Sequence, residues 1–210
     1  MISRRHLLLS TSFFAVKGAF AEELAKTASV EEGPFYPHKL PLDTDNDLLV
    51  LNNSITPAAG EIAHLSGRLL DAKGDPIRNA TVEIWEVDNN GVYLRQHDEQ
   101  GTAMDKNFQG YGRFLTGSTG EYYFRALKPV IYPGRQAPHI HFKVGMKGRR
   151  DWTTQLYIKG HPGNARDGVY RRLREAEKAT VTREFTAIAG SKVGASAAKF
   201  DIVMGYTPEL

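Results

Sequence analysis

Pro138-His139-Ile140-His141-Phe142-Lys143-Val144 is the stretch of this chain whose residue types and spacing best suit chemistry. Side chains alternate along a strand, so His139 and His141 would face one side while Ile140, Phe142 and Val144 face the core. Two imidazoles at i and i+2 can grip one metal ion with little rearrangement, and neutral imidazole suits iron, copper, nickel and zinc. Taken alone, the pair is more simply read as two half-exposed histidines. Two tyrosines change that balance. Tyr132, seven residues before His139, lies in Ile131-Tyr132-Pro133-Gly134-Arg135, a turn-forming stretch that can fold a phenol back over the strand. Tyr93 follows Asn90-Gly91, a hairpin signal that predicts a position near a strand end. The chain has no cysteine, which excludes disulfides, thiolate metal sites and cysteine nucleophiles. Any transition metal must therefore be held by nitrogen and oxygen.

The elements that would position these residues are strands. Runs rich in β-branched and aromatic residues fall at Ala63 to Leu70, Thr81 to Val87, Glu121 to Leu127, His139 to Val144, Thr153 to Ile158 and Phe200 to Met204. Turn signals such as Asp71-Ala72-Lys73-Gly74, Asp88-Asn89-Asn90-Gly91 and Gly117-Ser118-Thr119-Gly120 separate them. This spacing predicts an all-β fold, a β-sandwich of mainly antiparallel strands. One helix is expected, over about Asp167 to Lys178, with Val169, Leu173 and Ala176 as a narrow apolar stripe. Thr180 to Ile188 could add a strand, and Gly190 to Ala198 reads as a small-residue loop. Residues 22–62, punctuated by Gly33-Pro34, Pro37, Pro41 and Pro57, read as an extended arm lying across a sandwich body at 63–210.

The first 21 residues read as an address. Ser3-Arg4-Arg5 precedes the apolar run Leu7 to Val16, and Ala19-Phe20-Ala21 supplies the small residues of a cleavage site, so the mature chain is expected to begin at Glu22. The paired arginines, the polar-interrupted run and Lys17 resemble a twin-arginine signal, which implies a periplasmic or secreted protein exported already folded. The apolar run falls short of the roughly 20 residues that a membrane span needs, so no membrane association is expected after cleavage. Cleavage would remove three basic residues and no acidic one, leaving 24 of each. No basic stripe with interleaved aromatics remains, which argues against nucleic acid as a partner.

Eight blocks, in order, carry a resemblance. They are Glu32-Gly33-Pro34-Phe35-Tyr36; Gly67-Arg68-Leu69-Leu70 with Gly74-Asp75-Pro76; Val82-Glu83-Ile84-Trp85 with Asp88 and Gly91-Val92-Tyr93; Phe108-Gln109-Gly110-Tyr111-Gly112-Arg113; Gly120-Glu121-Tyr122-Tyr123-Phe124; Tyr132; Pro138 to Phe142; and Thr154-Gln155-Leu156-Tyr157. Together they look like the intradiol ring-cleavage dioxygenases, the family of the catechol, hydroxyquinol and protocatechuate 3,4-dioxygenases.

The resemblance implies a mononuclear non-haem Fe(III) cofactor with Tyr93, Tyr132, His139 and His141 as ligands, a small aromatic diol and O2 as substrates, and a muconate-type diacid as product. In the scheme it implies, Tyr93 remains a ligand while Tyr132 dissociates and takes a proton from the diol. A hard ferric ion suits this donor set, because the metal stabilises a phenolate whose free pKa is about 10. Gln155 matches a family glutamine near the iron, its alternative being a strand residue facing solvent. Arg135 could stabilise negative charge on the bound ring or line the substrate pocket, its alternative being a plain surface arginine. Familiar members carry that arginine three residues before the first histidine, where this chain has Gln136. Pro34, Phe35 and Tyr36 would line the pocket mouth. Trp85 and Arg113 read as structural, Trp85 as a core aromatic of the sandwich, and His38, His64, His97 and His161 as surface residues. Self-association into a homo-oligomer is left open.

Two other classes compete. Gly67 to Phe124 also resembles transthyretin-like and adhesin-type sandwich modules that bind without catalysis, but these have no reason to supply two tyrosines and a His-x-His pair. A cupin-like protein would use the histidine pair alone, and would be expected to add a downstream glutamate and a further histidine that are not seen here.

Overall fold

The computed structural model describes residues 23–51 and 55–205; the expected signal at 1–21 and the tail from Tyr206 lie outside the described residues. The strands and helices, in chain order, are β1 (Ile62–Leu70), β2 (Thr81–Trp85), α1 (Leu94–Gln100), β3 (Tyr111–Leu115), β4 (Glu121–Leu127), β5 (His139–Gly145), β6 (Trp152–Ile158), α2 (Gly168–Arg172), α3 (Glu175–Val181), β7 (Thr182–Arg183), β8 (Thr186–Ala187), β9 (Ser196–Lys199) and β10 (Ile202–Val203). They form two mixed sheets. In one, β1 pairs antiparallel with β4 and parallel with β9 and β10, and β8 pairs with β9. The other runs β3-β2-β5-β6-β7. The fold is thus all-β and sandwich-like, as expected.

Alternation explains where the core sits. Val82, Ile84, Ile140, Phe142, Val144 and Leu156 of the second sheet meet Leu65, Leu69, Tyr122 and Phe124 of the first in one buried cluster. The opposite face of the second sheet carries the residues in between. There Trp85 lies opposite His141, and His141 opposite Gln155, in adjacent strands, while His139 lies opposite Tyr157. The arm covers part of this outer face: Val30 donates its backbone N–H to Thr153, and Lys143 pairs with Glu32 at 2.6 Å.

Several expectations need correction. The single helix over 167–178 is two helices, because Leu173 adopts an extended ψ of 139°. Each half has its own start: Asp167 accepts from the N–H groups of Val169 and Tyr170, and Glu177 accepts from the N–H of Arg174. Leu173 and Tyr170 pack instead on a small cluster of Ala28, Ala137, Tyr157 and Val181. A further helix, α1, escaped notice because it buries no residue and so shows no apolar stripe. The loop expected at 190–198 contains most of β9, whose small residues Ser196 and Ala198 are buried beside β1. The strand expected at 180–188 is split into β7 and β8, and β3 was not anticipated. Asn90-Gly91 does close a turn, with Gly91 at φ +81°, but the chain leaves it into α1 rather than into a returning strand.

Candidate metal centre

Four side chains from three separate stretches converge on the outer face of the second sheet. His139 and His141 project from β5. Tyr93 caps α1, placed by a turn in which Asp88, fully buried, accepts from the N–H groups of Asn90 and Val92. Tyr132 opens a tight turn that returns at Arg135, where Arg135 donates to the Tyr132 carbonyl and Gly134 sits at φ +89°. That turn does fold a phenol back over the strand.

The four donor atoms close a ring. Tyr93 Oη lies 3.2 Å from Tyr132 Oη, Tyr132 Oη 3.3 Å from His139 Nε2, His139 Nε2 3.2 Å from His141 Nε2, and His141 Nε2 3.0 Å from Tyr93 Oη. A first-row transition ion bound at about 2.0–2.2 Å holds neighbouring donors roughly 2.8–3.6 Å apart, so the ring fits such an ion. The tautomer suits the same purpose. His139 Nδ1 sits 2.7 Å from the Ala137 carbonyl, which can only accept, so Nδ1 carries the proton and Nε2 offers its lone pair. Among the described residues no group of three or more His, Cys, Asp or Glu could hold a metal ion, so a metal held here must draw on the phenols.

All four rings are buried, and the histidines are not the half-exposed pair that His-x-His alone suggests. Trp85 stacks on His141 at 4.7 Å and 11°, and Phe35 stacks on Tyr93 at 4.7 Å and 17°. Trp85 is therefore not an aromatic of the inter-sheet core. Cross-strand pairing with His141 puts it on the outer face, in a cluster with Tyr93, Tyr111 and Tyr132.

Burial dominates the electrostatics. It holds His139 down to about 3, helped by the Arg135 guanidinium, and pushes His141 well below its usual range, helped by His139 and Arg135. It also raises Tyr93 and Tyr132. At neutral pH the cage without metal thus holds neutral imidazoles and protonated phenols. A stability prediction for the metal-free protein follows. An unfolded histidine takes up a proton below about pH 6.5, whereas the folded His139 does so only near 3. The stabilising contribution is therefore full above 6.5 and is lost as pH falls towards 3, at up to about 1.4 kcal/mol per pH unit for each such histidine. The urea midpoint of metal-free protein should drop steeply between pH 6.5 and 4; a midpoint constant over that range would contradict neutral, buried ligands.

The remaining expected residues separate clearly. Arg135 is not a plain surface arginine. It is 14% exposed, its Nη1 lies 3.1 Å from His139 Nε2, and its Nε and Nη2 donate to Asp167 at 2.8 and 3.2 Å. Gln155 does not face solvent. It is fully buried, accepting from Arg135 at 2.9 Å and from Tyr157 at 2.7 Å and donating to the Glu31 carbonyl. It touches none of the four donor atoms directly, so its reach is through Arg135. Phe35 and Tyr36 lie against the cage, Tyr36 edge-on to Trp85 at 5.1 Å, and the Pro34 carbonyl accepts from Arg95. His38, His64, His97 and His161 each find partners elsewhere: Glu99, Tyr123, the Thr102 carbonyl and the Gly163 N–H.

Sequence reasoning missed Asp167 as part of the site. Its side chain is fully buried and accepts from Arg135, from the N–H groups of Gln136 and Ala137, and from two N–H groups of α2. Burial alone would raise its pKa, but Arg135 and the backbone donors bring it down to about 2. The local signal was an aspartate before a helix; the partner thirty-two residues away left none.

Comparison with known proteins adds to this geometry. Residues 31–205 match the Dioxygenase_C family model, described as a dioxygenase. The beta chain of protocatechuate 3,4-dioxygenase from Burkholderia cepacia is 31% identical over 201 residues, covering 84% of this chain and 86% of that one. Hydroxyquinol 1,2-dioxygenase from Nocardioides simplex is 33% identical over 130 residues, covering 54% of this chain and 42% of that one. Among solved structures, the dioxygenase domain of a carbohydrate-binding fusion protein from Streptomyces sp. SirexAA-E superposes with a TM-score of 0.66 at 25% identity, over 87% of this chain and 99% of that one.

Proposed function

Since the chain belongs to the intradiol ring-cleavage dioxygenases, enzymes that open catechol-type rings, we propose that its four converging side chains hold one non-haem ferric ion. Tyr93, Tyr132, His139 and His141 are the ligands in this reading. The substrate is a catechol-type diol; both atoms of O2 enter it, and the ring opens between the two hydroxyl-bearing carbons to give a muconate-type diacid. The supporting observation is the closed ring of donor atoms with edges of 3.0–3.3 Å. When bound, Fe(III) would supply Lewis acidity and a template for the diol.

The chain's own residues divide the remaining work. Tyr93 is locked at the cap of α1 beneath Phe35, whereas Tyr132 hangs from a short turn and is the more exposed of the two, 7% against 1%. That asymmetry supports Tyr93 Oη as the donor that would stay fixed and Tyr132 Oη as the base that would take a proton from the diol. Arg135, beside the cage, would stabilise negative charge gathered on the ring, and Gln155 would hold its guanidinium in place. Trp85 and Phe35 exclude water. A binding module without catalysis is not favoured, since it needs no such ring of donors; a cupin-like site is not favoured, since two of the four donors are phenols.

We also propose export by the twin-arginine pattern at 1–21, on the strength of Arg4-Arg5 and Ala19-Phe20-Ala21. One preparation tests both readings. Protein from the periplasmic fraction should have the mass of a chain beginning at Glu22 and a reddish colour from phenolate-to-iron charge transfer, and anaerobic catechol should shift that band to longer wavelength. A colourless protein fully loaded with another metal would sink the ferric reading, and an uncleaved cytoplasmic chain the export.

A further inference from the structure

We propose that the site selects uncharged catechols and discriminates against diols bearing a ring carboxylate. This inference rests on the ring-opening reading and names its substrate class.

Four of the cations beside the cage or the arm segment Glu31 to Tyr36 that covers it are already matched by carboxylates of this chain. Arg135 forks onto Asp167 at 2.8 and 3.2 Å. Lys143 lies 2.6 Å from Glu32 and 3.3 Å over the Tyr36 ring. Arg95 pairs with Glu99 at 3.1 Å, and Arg172 with Glu31 at 3.2 Å. The other surfaces offered to an incoming ring are aromatic: Phe35 against Tyr93 and Tyr132, and Tyr36 against Trp85.

A carboxylate entering such a pocket gives up its hydration, and only an uncommitted cation would replace what it loses. Arg135 is closest to the cage, but Asp167 and Gln155 hold its Nε and Nη2, and the one nitrogen left facing the cage, Nη1, sits at His139, where the diol's own charge would use it. Drawing it away would strand Asp167, whose side chain is completely buried. An uncharged ring substituent meets no such cost and gains from the aromatic wall.

The test compares catechol, 4-methylcatechol, 3,4-dihydroxybenzoate and its methyl ester on iron-loaded enzyme. Two readouts are used: oxygen uptake, and anaerobic binding by calorimetry. The ester should exceed the acid by at least about 100-fold in kcat/KM and by a similar factor in affinity, because the two differ mainly in charge. Asp167→Asn keeps an oxygen acceptor at the start of α2 but removes the countercharge of Arg135. It should narrow the gap between ester and acid by at least about tenfold.

Acid within about threefold of ester in the unmodified enzyme overturns the proposal. So do acid and ester that are equally poor beside catechol, since size would then be the filter, and so does a folded Asp167→Asn variant with an unchanged gap. Should that variant fail to fold, the comparison in the unmodified enzyme still decides. If no diol binds or consumes oxygen, the ring-opening reading itself falls; if all do and the acid leads, only this inference falls.

Discussion

Tyr93→Phe should leave a folded protein that has lost its visible absorption and at least about 10³-fold in ring-opening turnover. The substitution deletes a single oxygen. That oxygen is one corner of the donor ring, 3.0 Å from His141 Nε2 and 3.2 Å from Tyr132 Oη, and it would be the anionic ligand that stays in place. The phenyl ring left behind keeps its stack on Phe35 at 4.7 Å, so the fold should lose little. Three donors would remain, with one negative charge fewer to hold a ferric ion. Iron content by emission spectroscopy, the visible spectrum and oxygen uptake read the three consequences separately. A Phe variant that retained stoichiometric iron and turned over within about tenfold of the parent would show that the ligand set is wrong.

Asp167→Ala should cost about 2–4 kcal/mol of stability, because it leaves a largely shielded guanidinium without its counterion. Other losses point the same way. The start of α2 would lose its cap, and the N–H groups of Gln136 and Ala137 would lose their acceptor. The damage should also reach the cage. Asp167 braces the segment whose Ala137 carbonyl fixes His139 Nδ1, so a loosened 135–137 segment frees that ring to rotate. Urea unfolding at neutral pH measures the first effect and iron affinity the second. A loss below about 1 kcal/mol would mean that water reaches Arg135 readily and that the pair is not a brace.

Legibility in the sequence followed the range of the interaction. β4 was anticipated to the residue, at Glu121–Leu127, because a strand with one face on the core writes its alternation locally. β5 was legible for the same reason, including which of its side chains face inward. Elements without that imprint were not. α1 has no buried face; β9 is built of small residues whose burial depends on β1 beside it; and the break at Leu173 exists because that side chain packs on a cluster drawn from residues 28, 137, 157 and 181. Trp85 was misplaced for a related reason. Its apolar character suggested the inter-sheet core, yet its strand position commits it to the outer face, where His141 provides the surface to cover.

Legible without any fold were the kinds of donor atom available, the absence of thiolates, the side of β5 on which the imidazoles lie, and a family pattern naming the four candidate ligands. All of these are properties of composition, of neighbouring residues or of short motifs. Long-range packing settled that Tyr93, 48 residues from His141, comes within 3.0 Å of it, that Arg135 is turned inward and committed to Asp167, and that Gln155 accepts from Arg135. Contacts between residues so far apart depend on strand register, on the exit angles of turns and on which loops pack over the sheet. No local periodicity encodes them, and so the pairing of Arg135 with Asp167 and of Lys143 with Glu32 became visible only in the folded chain.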